Sequence, residues 1–183
     1  MRTSLFSTII ADGERRRREG AVQGVRFAEV KEITDDGLYI LEWLSGPVRT
    51  RSAPARAARF MAGKERGAYF PFEIDDEVVV GFIDGDLDQP VILGALWSDQ
   101  DPPPSGVDTS SNNNSRAIVS REGSRLAFDD TSGATTVLLE SAGGIQILLD
   151  DAGKSLTLKF NDSTKIVLNA QGVTVTGATI NLN

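Results

Sequence analysis

The chain has 183 residues, 40% hydrophobic and 25% charged, with a formal net charge of −7 and neither cysteine nor histidine. Without cysteine there is no disulfide, thiolate metal site or cysteine nucleophile, and without histidine the commonest general base and transition-metal ligand are gone. The acidic balance argues against a general nucleic-acid binder, because neutralising phosphates takes a basic surface.

Residues 1–19 read as a leader, with an apolar stretch at 5–11 followed by the basic run Arg15, Arg16, Arg17 and Arg18. The stretch is short, carries Ser7 and Thr8, and has its arginines on the C-terminal side, so it is not a signal peptide and synthesis in the cytoplasm is expected. No apolar run approaches the roughly 20 residues of a membrane-spanning helix. Residues 20–98 hold five strand candidates, at 21–33, 38–44, 57–61, 77–83 and 90–96, separated by turn signals such as Asp35-Asp36-Gly37, Ser45-Gly46-Pro47 and Asp84-Gly85-Asp86. Five short strands in this span predict a small antiparallel barrel; an OB fold fits, and an SH3-like barrel stays open. Charge is segregated: lysine and arginine concentrate before Ala68, and none occurs from Ala68 to Ser115, where Asp and Glu accumulate. Such asymmetry either orients an assembly or marks two solvated faces of one domain.

Residues 99–115, with Pro102, Pro103 and Pro104 followed by small polar residues, read as an extended linker. From residue 116 to 183 the chain becomes a series of short strands with period-two patterning. Leu126/Phe128, Val137/Leu139, Ile145/Ile147/Leu149, Leu156/Leu158/Phe160, Ile166/Leu168, Val173/Val175 and Ile180/Leu182 are read as alternating with polar residues between turns rich in Asp, Gly, Ser and Asn. This predicts a one-faced apolar β-ribbon. Burying each such side chain contributes roughly 1.5–3 kcal/mol, and nothing in the same chain is broad enough to cover the face. The expectation is therefore a homo-oligomer whose core is Leu126, Phe128, Val137, Leu139, Ile145, Ile147, Leu149, Leu156, Leu158, Phe160, Ile166, Leu168, Val173 and Val175.

The segment 62–97 resembles the OB domain of contractile-tail spike proteins, the phage baseplate assembly protein V group and its type VI secretion relatives. The resemblance rests on Ala62-Gly63, Gly67, Tyr69-Phe70-Pro71, Asp76-Glu77-Val78, Phe82, Gly85-Asp86 and Pro90-Val91-Ile92-Leu93-Gly94, in that order, and on residues 112–130, which are similar to the family's entry into its triple-stranded β-helix. Asp75 departs from it, standing where the family usually has Gly. The resemblance implies an all-β fold, an N-terminal OB barrel followed by an intertwined trimeric β-helix or β-prism. It also implies a homotrimer in a tail baseplate or injection particle, docked on a hub protein at the N-terminal and OB end and meeting a target membrane only on firing. A tip formed by Ile180, Leu182 and Asn183, without the histidine that closes some relatives with a metal ion, implies a separate cap of the PAAR-repeat type.

Candidate sites were weighed on their residue types. Asp129-Asp130 and Asp150-Asp151, followed by Gly133 and Gly153, supply too few oxygen ligands for a Ca²⁺ loop and fit sharp turns. No nucleophile motif such as Gly-x-Ser-x-Gly occurs. The expectation is no catalytic residue, no cofactor and no metal. Trp43, Trp97, Phe60, Tyr69, Phe70, Phe72 and Phe82 read mainly as barrel core or interface anchors; the alternative is a stacking platform for glycan or nucleic acid, with the ribbon as a trimerising stalk. An enzyme acting on cell-surface polysaccharide through Asp129 or Asp150 is the third class.

Overall fold

A computed structural model describes residues 21–46 and 50–181; the leader, including Arg15–Arg18, and the tip residues Leu182 and Asn183 lie outside them. The described chain is all β apart from a three-residue 3-10 turn at Ile83–Gly85. It divides into two compact units, Met1–Pro102 and Pro103–Asn183, and the division falls inside the Pro-rich segment.

The first unit contains β1 (Arg26–Ile33), β2 (Tyr39–Trp43), β3 (Arg56–Ala57), β4 (Ala62–Gly63), β5 (Arg66–Gly67), β6 (Glu77–Phe82) and β7 (Pro90–Leu96). Its main sheet has the order β2-β1-β6-β7-β3. The chain at 50–57 also bonds back to β2, through the Glu42–Arg51 and Tyr39–Ala55 bridges, before β3 runs parallel to Val91 and Ile92. The sheet thus curls until both its edges share one segment, as an OB barrel requires. Period-two patterning explains the interior: Ala28, Val30, Tyr39, Leu41, Trp43, Ala55, Val78, Val80 and Ile92 are buried, and alternate residues face out. Tyr39 meets Phe72 edge-on at 5.6 Å and Trp43 lies 5.5 Å from Phe82, plugging the barrel ends with aromatic area.

The third strand is only Arg56–Ala57, reached through single bridges at Arg51 and Ala55, and does not run on through 58–61. Pro54 lacks an N–H and the flanking residues are small or charged, so periodicity gives no sign of it. Pairing is carried instead by reciprocal bonds between Tyr39 and Ala55 and by the Ser52 hydroxyl, which accepts the Leu41 N–H at 3.0 Å. Residues 58–71 leave the barrel as an excursion that contains the β4–β5 hairpin.

The second unit is one seven-stranded antiparallel meander in sequence order: β8 (Ser115–Val119), β9 (Arg125–Asp129), β10 (Thr136–Glu140), β11 (Gln146–Asp150), β12 (Ser155–Asn161), β13 (Thr164–Asn169) and β14 (Gly172–Thr176). All of its ladders lie within the chain.

Candidate functional site: the open face of the meander

The registers of the second unit are in phase from end to end. One row runs Phe128–Val137–Leu149–Leu156–Leu168–Val173, and a second runs Ile118–Leu126–Leu139–Ile147–Leu158–Ile166–Val175. Each is a continuous cross-strand ladder of branched and aromatic side chains, the unit that stabilises a sheet face. The meander therefore brings together in two rows on one face twelve of the fourteen residues expected there. Phe160 and Ile145 sit at the margin, lining with Ile147, Leu158, Ile166, Val175 and Ile180 an apolar hollow of about 420 Å³. The described residues leave this face open: Leu139 is 52% exposed, Phe160 62% and Val173 65%.

The opposite face differs from a simple polar one. Its central row is Ala117–Ala127–Leu138–Leu148–Thr157–Val167–Thr174, and Leu138, Leu148 and Val167 are half-buried. Runs such as Val137-Leu138-Leu139 and Ile147-Leu148-Leu149 place apolar side chains on both faces, which a strict alternation template overlooks. Long polar side chains flank this row. Arg125 Nε contacts Glu140 at 2.7 Å, and Gln146 Nε2 donates to Glu140 Oε1 at 2.5 Å. Gln146 first, then the charge of Arg125, hold the Glu140 carboxyl below its usual value against a burial effect of opposite sign. Pro104, Ser105, Gly106 and Val107 lie over the β8–β10 end of this face.

The acidic pairs are turn-formers. Asp129 Oδ1 accepts the Thr131 N–H and Asp150 Oδ1 the Gly153 N–H, each at 2.8 Å, and the two Thr131 bonds hold Asp129 below its usual range. Among the described residues no group of three or more acidic side chains is placed to hold a metal ion, and no helix is long and apolar enough to cross a membrane.

In the barrel unit Trp43 is buried and Phe72 and Phe82 pack on the core, but the other four candidate aromatics do not. Phe60 is 85% exposed and Tyr69 79%, and Phe70 and Trp97 also face out. Hence these four are not core. Phe60, Tyr69 and Phe70 stand on the excursion outside the barrel sheet, where no alternation pattern marks an inward face. Arg59 stacks on Phe72 at 5.2 Å and on Tyr69 at 6.0 Å and donates to the Tyr39 hydroxyl at 3.2 Å, so it belongs to the barrel wall.

Residues 41–97 match the family model of the type VI secretion system/phage-baseplate injector OB domain. The chain carries that injector OB domain. The match begins within β2 and ends just past β7, so it takes in the third strand, the aromatic excursion and the β6–β7 hairpin of the barrel. It assigns the injector domain to a baseplate-type injection system. Among curated proteins none matches the chain.

Proposed function

We propose that the chain is the structural central spike of a contractile injection machine. The injector OB domain docks on a hub, the meanders of three copies pack their apolar faces around one axis as a β-prism, and sheath contraction drives the prism through a target envelope. The observation that carries this reading is the pair of unbroken apolar ladders on an uncovered face, in a chain that also holds an injector OB domain. The work is mechanical, without catalysis, cofactor or nucleic acid, in an assembled tail baseplate or injection particle.

Geometry favours three copies over four. A five-residue strand spans about 17 Å, and sheets pack about 10 Å apart. A triangle with walls about 17 Å wide places each wall about 5 Å from its axis, half the packing distance, so facing side chains fill the interior. A square of the same walls would hold them about 8.5 Å from the axis and leave a hollow. Seven strands at about 4.8 Å stack to a prism about 30 Å tall, stiff because its ladders follow one another without a break.

The exposed Ile180 supports a further partner, a PAAR-type tip protein at the C-terminal end. The test of the spike itself is absolute mass by light scattering. Three times 19.6 kDa is expected, stable on dilution. A one-chain mass with the sheet intact by circular dichroism refutes the reading, as does a two-chain mass, which would mean a sandwich.

A further inference from the structure

The barrel unit presents two exposed patches of complementary character. The first is the excursion around the β4–β5 hairpin, where Phe60 and Phe70 stack at 6.3 Å beside Met61 and Tyr69, with Lys64 and Arg66 at the turn. Aromatic residues, methionine and arginine are the types enriched at protein interfaces. The second is the loop 83–89 that joins β6 to β7. There Ile83 and Leu87 are exposed apolar side chains between the exposed carboxylates of Asp84 and Asp88.

The two patches belong to different segments of the barrel unit. The β6–β7 register runs from Glu77 opposite Leu96 to Phe82 opposite Pro90, and the acidic loop closes the second end. The hairpin excursion leaves from beside Ile92, two residues from Pro90, where the Ala58 N–H bonds, and returns through residues 72–76 into Glu77 at the first end. The loop is also held in shape before any partner arrives: Ile83 and Gln89 exchange a backbone bond, Asp86 bonds back to Ile83, and Val22 donates to Gly85.

We propose that the occupant of each patch is a second copy of this chain, the basic aromatic hairpin of one barrel docking on the acidic apolar loop of the next. Two different patches on one molecule make a head-to-tail interface, which closes into a ring or grows without end. With the meanders fixing three copies, the barrels close as a three-membered collar. This rests on the spike reading and adds to it the contact that sets the order of the barrels. Apolar anchors would supply the burial, and the charges the direction and specificity.

The test uses the full chain carrying Lys31→Arg, which leaves Lys64 as the one lysine of residues 1–102. The protein is assembled from ¹⁵N-labelled and unlabelled chains and treated with a zero-length carbodiimide. Expected are mixed-isotope peptides joining Lys64 to Asp84 or Asp88, and covalent species that stop at three chains. Arg66→Glu should lower that yield several-fold and Asp88→Arg on top of it should recover it. A mass of three chains with no Lys64 link overturns the collar contact while the prism stands. The same holds if the links stay within one isotope or stop at two chains, or if Arg15–Arg18 of the same chain hold the loop and leave Lys64 unlinked. A ladder running beyond three chains overturns ring closure, whereas a one-chain mass overturns the spike reading beneath it.

Discussion

Leu158 and Lys159 are neighbours in sequence and opposites in consequence. Leu158 sits in an apolar ladder between Ile147 and Ile166, whereas Lys159 stands on the other face and bonds the exposed Asp162 at 2.8 Å. Leu158→Asp would set three unpartnered charges about one axis and is expected to lower stability by roughly 3–5 kcal/mol per chain. Lys159→Asp loses an exposed ion pair with Asp162 and a weaker attraction to Glu140, and is expected to be much the milder change. Equal losses in thermal melts would reverse the assignment of the faces. Glu140 is a second residue with a measurable signature. Its pKa is lowered in the fold, so its contribution is present above the unfolded value of about 4.3 and is lost as pH falls through the lower folded value. Melting temperature measured from pH 6 to pH 2 should therefore fall less steeply in Glu140→Gln than in the parent; parallel curves would show that the Arg125–Glu140–Gln146 cluster does not couple to folding.

At the scale of elements, the β6–β7 loop shows how a turn is fixed. Gly85 has φ of +76°, and a Cβ there would come within 2.7 Å of the Ala21 Cβ and 3.2 Å of the Val22 carbonyl oxygen. Gly85→Ala is expected to cost about 1–3 kcal/mol through backbone strain and, by displacing residues 21–22, to loosen the loop while leaving the meander intact. Urea melts with separate probes of the two units would show it; an unchanged barrel transition would refute it. The barrel strands depend on the interior in the usual way. Leu41 is fully buried, and Leu41→Ala should cost about 2–5 kcal/mol. The third strand carries no periodic signal because Ala55 is drawn inward by pairing with Tyr39 and not by any hydrophobic run of its own. Likewise, Leu138, Leu148 and Val167 were passed over because a template of strict alternation assigns them to water.

For the whole molecule, the decisive quantity is the fate of the apolar ladders. If three meanders cover one another, the unfolding temperature should rise with protein concentration, since assembly stabilises by mass action. A concentration-independent melt together with a one-chain mass would refute assembly. The collar contact separates from this, because substitutions at Lys64 or Arg66 should remove the barrel cross-link without reducing the mass.

Read alone, the residues identify an all-β chain with four barrel strands near their true places, a Pro-rich divide and a ribbon whose apolar positions share one face. Period-two alternation is a local signal, and each strand carries it without reference to any other. The ordered motif from Ala62 to Gly94 likewise named the injector OB domain, because its turns demand particular residue types. Only the tertiary structure decided the rest. Register turned separate alternations into two ladders, and between the two places open to Phe60, Tyr69, Phe70 and Trp97, core or interface surface, exposure put them on the surface. These depend on contacts between residues distant in sequence, and so on a pairing that no local pattern encodes.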